Sequence, residues 1–154
     1  MKRGVRPNME LSTIINKLEF CTQYSLRVYY EDTDAGGVVY YANYLKFVER
    51  ARTEFLREIG IPHEEIKKKW NVEFVVKSSF IDYIKPAFLD DLLEVRTYCL
   101  EVRGASSTLK QVVLKSDIVI VDTTIKIACI SMENARAVRM PSDIKAAFDR
   151  IKVT

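Results

Sequence analysis

The sequence is poor in the residues that build metal and redox sites. Its 154 residues include one histidine, His63, and three cysteines, Cys21, Cys99 and Cys129, which are too far apart to form a metal knuckle or a CxxC pair. This set of side chains supplies no tetrahedral ligand group. We therefore expect no metal and no redox cofactor. Cys99 and Cys129 each lie in an apolar run, so we expect both to be buried reduced thiols.

Long hydrophobic runs and a large charge of one sign are also missing. No apolar stretch approaches the roughly 20 residues that cross a bilayer, so no transmembrane segment is expected. Residues 11–19 are too polar for the core of a signal peptide, which favours a cytoplasmic protein. The 24 basic and 21 acidic residues leave a net charge of +3. This charge is too small to indicate nucleic-acid binding, but it suits a ligand that carries phosphates.

The clearest local pattern is one long amphipathic helix. Apolar residues recur at spacings of three and four from Tyr44 to Ile59 and line one broad face. Asn43 is a candidate N-cap, and Gly60 followed by Pro62 is a stop signal. A face this wide cannot lie free in water, so a large apolar surface must cover it.

Strand-like segments surround this helix. A strand over 24–30 precedes it, and short helices are predicted over 62–70 and 142–151. The remaining predicted strands cover 71–84, 89–102, 108–121 and 124–133, with the last break near Asp122. Short connections favour antiparallel pairing. We predict a flexible lead-in over 1–22 and one domain over 23–154. The expected fold is α+β, an antiparallel sheet wrapped around one long helix, which is the hot-dog arrangement.

The loop between the first strand and the long helix carries the densest chemistry. Glu31, Asp32 and Asp34 are followed by Gly36 and Gly37, and the helix begins soon after. The first amides of a helix lack intrahelical partners and favour negative charge. Such amides can stabilise an oxyanion, each for about 3–4 kcal/mol, while a carboxylate attacks a carbonyl or activates water. The alternative is an Asx-turn that leads into a helix cap, with solvated carboxylates.

The same loop carries a resemblance to a known family. The run Tyr30-Glu31-Asp32-Thr33-Asp34-Ala35-Gly36-Gly37-Val38-Val39-Tyr40, within residues 28–56, closely resembles the 4-hydroxybenzoyl-CoA thioesterase-like hot-dog family. Within that family it is most similar to the Tol–Pal-associated acyl-CoA thioesterases. A weaker likeness continues over 83–95, and residues 24–154 follow the family order. The resemblance implies hydrolysis of an acyl-CoA to a free acid and coenzyme A, without a cofactor.

The resemblance also implies roles for individual residues. Asp34 would be the nucleophile or general base, and the backbone N–H of Tyr41 would hold the thioester oxygen. Tyr30, Asp32 and Gly37 would shape the pocket, although Asp32 could equally be a cap or turn carboxylate. Many Tol–Pal-associated members carry histidine where this chain has Tyr41. If the essential group there is the amide, tyrosine changes little; if it is a histidine base, activity is slow or the substrate differs.

Two further residues have catalytic chemistry. Glu49 lies early in the long helix, and a rival class of hot-dog thioesterases uses a helix glutamate as its catalyst. We expect instead a structural pairing of Glu49 with Arg50, Arg52 or Thr53. His63 begins the second predicted helix and has no triad partners nearby in sequence, so we expect a surface residue.

The coenzyme A end of the substrate carries phosphates, which call for arginine or lysine. The resemblance implies this role for the loop that contains Arg103. The weaker candidates are Lys77, Lys110, Arg136 and Arg139. The lysines at 67–69 predict a solvated helix face, which could also meet an acidic acyl carrier protein.

Two other functions compete with thioester hydrolysis. A hot-dog hydratase or dehydratase pairs an acidic residue with a histidine, and His63 has no suitable neighbours. A non-catalytic acyl-binding or scaffold protein is the second alternative, which an intact Asp34 disfavours. An uncovered edge strand predicts a homo-oligomer. The resemblance implies dimers assembled into tetramers.

Overall fold

One antiparallel sheet and three helices make up the part of the chain that a computed structural model describes, residues 22–153. The strands run in the order β1-β3-β4-β5-β2, and every neighbouring pair is antiparallel. The predicted α+β fold is confirmed. The elements are β1 (Thr22–Arg27), α1 (Asn43–Glu58), α2 (His63–Trp70), β2 (Val72–Tyr83), β3 (Leu92–Val102), β4 (Ser106–Lys115), β5 (Ile118–Ser131) and α3 (Ser142–Ile151).

The predicted lead-in lies outside the described residues, apart from Thr22, which already belongs to β1. The single domain over 23–154 stays a prediction. No helix of the described part is long and apolar enough to cross a membrane.

The apolar face of α1 packs on the sheet along its whole length. Its first half, including Phe47, lies on Val95 and Val113 of the central strands. Its second half, including Phe55, packs on Leu109 with residues of α3. Each fully buried side chain of this size contributes about 1.5–3 kcal/mol through the water it no longer contacts. The sheet is therefore the cover that the wide apolar face of this helix required.

The start and end of α1 differ in how well they were predicted. Gly60 adopts φ +88° just beyond the helix, as a stop signal requires. Asn43 is not the N-cap: it is the first helical residue, and Ala42 occupies the cap position. The Asn43 side chain instead donates through Nδ2 to the carbonyl of Asp32, at 2.9 Å. The start of α1 is thus tied directly to the acidic loop.

The break predicted near Asp122 was wrong. The turn between β4 and β5 is made by Ser116 and Asp117, which both take positive φ values, 48° and 64°. Two such residues form the tight turn that suits a twisted hairpin. The turn was not predicted from the sequence because apolar residues alternate on both sides of it and neither turn residue is a glycine. Asp122 lies inside β5, 2% exposed.

Asp122 is buried because it pairs with Lys110 across β4 and β5. The Lys110 Nζ donates to Asp122 Oδ1 at 2.9 Å and to Thr124 Oγ1 at 2.8 Å. Lys110 is 4% exposed. It was predicted as a weak phosphate contact, and that prediction was wrong, because its charge is already neutralised inside the protein. Cys99 and Cys129 are free and buried, as expected.

Candidate active site

The acidic loop folds back on itself directly before α1. The amide of Asp34 donates to the carbonyl of Val38 at 2.8 Å, and the amide of Tyr40 donates to the carbonyl of Asp32 at 2.9 Å. Val39 N–H also donates to the carbonyl of Ala87, at 2.9 Å, which fastens the loop to the segment before β3. These bonds place the residues around Asp34 alongside the chain that enters the helix.

Asp32 is a turn carboxylate. It closes a short 3-10 turn, Tyr30–Asp32, by accepting the Tyr29 N–H on Oδ2 at 2.8 Å. Two roles were open for Asp32, shaping the pocket or stabilising a turn. The hydrogen bond from the Tyr29 N–H supports the turn. Tyr30 is 82% exposed and contributes no wall to an enclosed pocket in this protomer.

Asp34 has an exposed and oriented carboxylate. Its Oδ1 accepts the Gly36 N–H at 2.8 Å, and its carbonyl accepts the Gly37 N–H at 3.0 Å. A Cβ at Gly36 would lie 3.2 Å from Asp34 Oδ1, and Gly37 has φ +80°, so both glycines suit this turn. The Asx-turn of the alternative interpretation is therefore present. Because this turn holds only one carboxylate oxygen, the other stays available to a ligand.

Free amides stand at the start of α1. Within residues 22–153, neither the Tyr41 N–H nor the Ala42 N–H has a hydrogen-bond acceptor. The two neighbouring carbonyls are held: that of Tyr40 by the Asn43 N–H at 2.8 Å, and that of Tyr41 by the Tyr83 hydroxyl at 3.0 Å. An exposed carboxylate and unpaired amides thus lie on adjoining segments of one folded loop. This is the donor and acceptor set that acyl transfer uses.

A groove of about 710 Å³ runs between α1 and β2. It begins at Leu45, one helical turn after Tyr41, and its apolar wall includes Val48 and Val76. Its polar wall includes Glu49, Arg52, His63 and Glu73. This mixture of apolar walls and a few polar groups is typical of small-molecule sites.

His63 begins α2 as predicted, but it is not a surface residue. The ring is half-buried against the groove, and Nδ1 is buried without a hydrogen-bond partner in the described part of the chain. Burial lowers the pKa of His63; Lys67 and Arg52 lower it further, while Glu73 and Glu49 oppose them. This direction favours the uncharged imidazole. The sequence prediction missed it because α2 folds back over β2.

Arg52 was not recognised as part of a site from sequence. Its Nη1 donates to Oε1 of Gln111 at 2.9 Å, and burial lowers its pKa. Gln111 is fully buried and donates in turn to the carbonyl of Val48 at 2.9 Å. The predicted pairing of Glu49 is present only as a charge interaction with Arg52, whose pKa Glu49 raises against the effect of burial. Within residues 22–153 the exposed Glu49 carboxylate forms no hydrogen bond or close ion pair, and it lines the groove.

The three arginine candidates lie at the far end of the sheet from Asp34. Arg103 follows β3 and donates to Glu101 at 2.8 Å, and the guanidinium of Arg139 lies beside Gly104. The Arg136 carbonyl accepts the amide of Ser131 at the end of β5. Asp34 lies near the start of β3, a strand of 11 residues that spans roughly 35 Å. One protomer therefore gathers the three arginines but does not bring them to Asp34.

Lys77 is the remaining basic candidate. It sits at a bulge in the middle of β2, where the pairing register with β5 shifts between Val76 and Ser78. The side chain is exposed on this edge strand. It lies between the Asp34 end and the arginine end of the sheet.

Comparison with known proteins decides the family. Residues 28–148 match the model of the thioesterase-like superfamily. The chain belongs to this superfamily. It is 44% identical to an acyl-CoA thioesterase YbgC of Haemophilus influenzae over 129 residues, which cover 84% of this chain and 95% of that relative. It is 37% identical to an acyl-CoA thioester hydrolase YbgC of Escherichia coli, over 82% of this chain and 94% of that one.

A solved structure of a probable thioesterase agrees with the fold. The crystal structure of a probable thioesterase from Bartonella henselae matches with a TM-score of 0.75 and 34% identity, covering 79% of this chain and 100% of that chain. The hot-dog fold and the thioesterase family predicted from the sequence are thus confirmed. The roles of individual residues stay predictions.

Within the described residues, no group of three histidine, cysteine, aspartate or glutamate side chains is arranged to hold a metal ion. The expectation that the superfamily member uses neither metal nor redox cofactor stays a prediction.

Proposed function

We propose that this member of the thioesterase-like superfamily hydrolyses an acyl-CoA to a free acid and coenzyme A. Asp34 acts as nucleophile or general base, and the Tyr41 N–H donates to the thioester oxygen. The observation that supports these roles is an exposed, oriented Asp34 carboxylate on the same folded loop as amides without partners. The names of the relatives from Haemophilus influenzae and Escherichia coli point to the same substrate class.

The reaction needs only these groups and water. As a bond forms to the carbonyl carbon, negative charge develops on the thioester oxygen, and the amide donates to it; one such donor lowers the barrier by about 3–4 kcal/mol. Asp34 either removes a proton from the attacking water or forms an acyl intermediate that water then cleaves. In both cases water supplies OH to the acyl carbon and a proton to sulfur. Because the donor at Tyr41 is a backbone group, a tyrosine side chain at this position is compatible with the mechanism.

The groove between α1 and β2 is the proposed acyl site. It starts at Leu45, one helical turn after Tyr41, and extends along the helix toward His63. An acyl group whose thioester oxygen reaches Tyr41 N–H can therefore lie in the groove. Glu49 lines the same groove with an exposed carboxylate, which makes it the rival catalytic candidate.

A second copy of the chain completes the proposed site. β2 is an edge strand with exposed apolar residues, Val75, Val76 and Phe80, at 37%, 48% and 65% exposure. A twofold axis pairs identical edge strands in antiparallel directions. β2 starts at the arginine end of the sheet and finishes beside Tyr41. Pairing would therefore bring the arginine end of the partner subunit's sheet toward Asp34. The phosphates of a coenzyme A bound at Asp34 could then reach these arginines. Assembly of such dimers into tetramers stays a prediction.

Substitution of Val76 by lysine is expected to convert the dimer into a monomer at micromolar concentration, because two lysines would meet in the seam. Light scattering after size exclusion gives the mass. Ile118→Lys, at a residue with similar exposure, 52%, but off the β2 edge, is the matched control. Because Val76 also lines the groove, the mass and not the KM is the readout of this test. A monomeric wild type, or an unchanged mass for Val76→Lys, would contradict the proposed seam.

Thiol release from short-chain, palmitoyl and benzoyl CoA esters tests the proposed activity. Turnover of at least one ester is expected, and the preferred one names the acyl class. If no CoA ester reacts, the same panel on acyl carrier protein separates a carrier-protein thioesterase from the non-catalytic binding protein. The exposed lysines of α2, Lys68 and Lys69, would then face the acidic carrier. The cytoplasmic location stays a prediction.

A further inference from the structure

The turn that enters α1 is held at two successive carbonyls. The Tyr40 carbonyl accepts the Asn43 N–H, and the Tyr41 carbonyl accepts the Tyr83 hydroxyl. In a regular helix the Tyr41 carbonyl would accept the Leu45 N–H, but that amide donates to Ala42 instead, at 3.2 Å. Among residues 22–153, the Tyr83 hydroxyl is the donor that reaches this carbonyl. The unpaired Tyr41 and Ala42 amides flank it.

Tyr83 comes from a different element, the last position of β2. Its ring packs edge-on against the ring of Tyr41, with centroids 6.2 Å apart, and at a tilt against the ring of Tyr44, with centroids 5.8 Å apart. Tyr44 is 3% exposed and belongs to the core under α1. These aromatic contacts favour one position for the hydroxyl. The end of the sheet therefore braces the start of the helix.

The Tyr83 hydroxyl is a donor over the whole physiological range. Burial raises its pKa above the ordinary value for tyrosine, and the neighbouring Tyr41 raises it further. The protonated phenol can then donate to a carbonyl. This direction matters, because a carbonyl that accepts a hydrogen bond polarises its own peptide and strengthens the N–H on the same peptide. For the Tyr41 carbonyl, that N–H belongs to Ala42.

We propose that Tyr83 is a positioning residue for thioester hydrolysis: its hydroxyl, by holding the Tyr41 carbonyl, fixes the turn that presents the Tyr41 and Ala42 amides to the thioester oxygen. The inference rests on the function proposed above. Without this bond the peptide between Tyr41 and Ala42, which carries the Ala42 N–H, can rotate, and this rotation also shifts the backbone of Tyr41 to which the Tyr41 N–H is attached. A donor misplaced by about 1 Å can cost on the order of 10²-fold in rate. Tyr83 itself does not touch the reacting atoms.

Kinetics of Tyr83→Phe test this role. The variant keeps the ring contacts and removes the hydroxyl. We expect kcat to fall about tenfold while KM for the acyl-CoA changes less than about twofold, because the amides act on the transition state. Tyr24→Phe removes a phenol that makes no hydrogen bond within residues 22–153, and it is the matched control. Melting temperatures of both variants show whether a loss of stability explains the result. An unchanged kcat, or a raised KM at unchanged kcat, would overturn the inference.

An amide measurement separates this inference from the proposed function. In an NMR spectrum of full-length protein, the Ala42 amide proton should move upfield in Tyr83→Phe and stay in place in Tyr24→Phe, since the polarising bond is lost only in the first. This readout does not require turnover. If wild type hydrolyses no thioester but the shift occurs, the proposed function is wrong, while the hydrogen bond from Tyr83 to the Tyr41 carbonyl is confirmed. If the shift is absent, the positioning role of Tyr83 is contradicted whatever the activity.

Discussion

Replacement of Asp34 by asparagine is expected to reduce thiol release from the preferred acyl-CoA by about 10³-fold or more. The amide can neither attack the carbonyl carbon nor remove a proton from water, and a lost general base or nucleophile costs 10²–10⁴-fold or more in rate. The asparagine oxygen can still accept the Gly36 N–H, so the loop should keep its shape. KM should change little, since binding in the groove does not use this carboxylate.

Two further variants make this result specific. Glu31→Gln changes an exposed carboxylate in the same loop and should leave kcat within about twofold of wild type. Glu49→Gln tests the rival carboxylate in the groove. If Asp34→Asn keeps its turnover and Glu49→Gln loses it, the catalytic role belongs to the helix glutamate. If both keep it, neither carboxylate is the catalyst and the proposed mechanism is wrong.

The largest effect on stability is expected from the ion pair between Lys110 and Asp122. Both side chains are nearly inaccessible to water, and the distance between Lys110 Nζ and Asp122 Oδ1 is 2.9 Å. Lys110→Met leaves the carboxylate buried without a cation, which should lower the free energy of unfolding by about 3–5 kcal/mol. Denaturation in urea at neutral pH measures this change.

The double variant Lys110→Met/Asp122→Leu tests whether the unpaired carboxylate causes the loss of stability in Lys110→Met. It removes both charges, so most of the lost stability should return, because an apolar pair of similar volume is often as stable as a buried ion pair. Lys145→Met breaks an exposed pair with Asp149 and should cost less than about 1 kcal/mol. A double variant as unstable as Lys110→Met would show that the site needs the charges themselves.

Local patterns in the sequence were sufficient for most of the fold. The long helix was predicted from Tyr44 to Ile59 and observed at Asn43–Glu58, because its apolar period and Gly60 are local signals. The turn at Ser116 and Asp117 was missed, because its positive φ values occur at residues that do not require them. Lys110 and Asp122 were misread for a related reason: each is charged, and only the paired strands show that each neutralises the other.

The sequence alone determined the family, the acidic loop and the order of its elements, since these follow from a continuous run of residues around Asp34. Only the tertiary structure decided which distant residues join that loop. It placed the Tyr83 hydroxyl on the Tyr41 carbonyl, moved His63 into the wall of the groove and left Arg103 at the opposite end of the sheet. The reason is physical: strand register and helix packing set distances between residues far apart in the chain, and no local pattern encodes those distances.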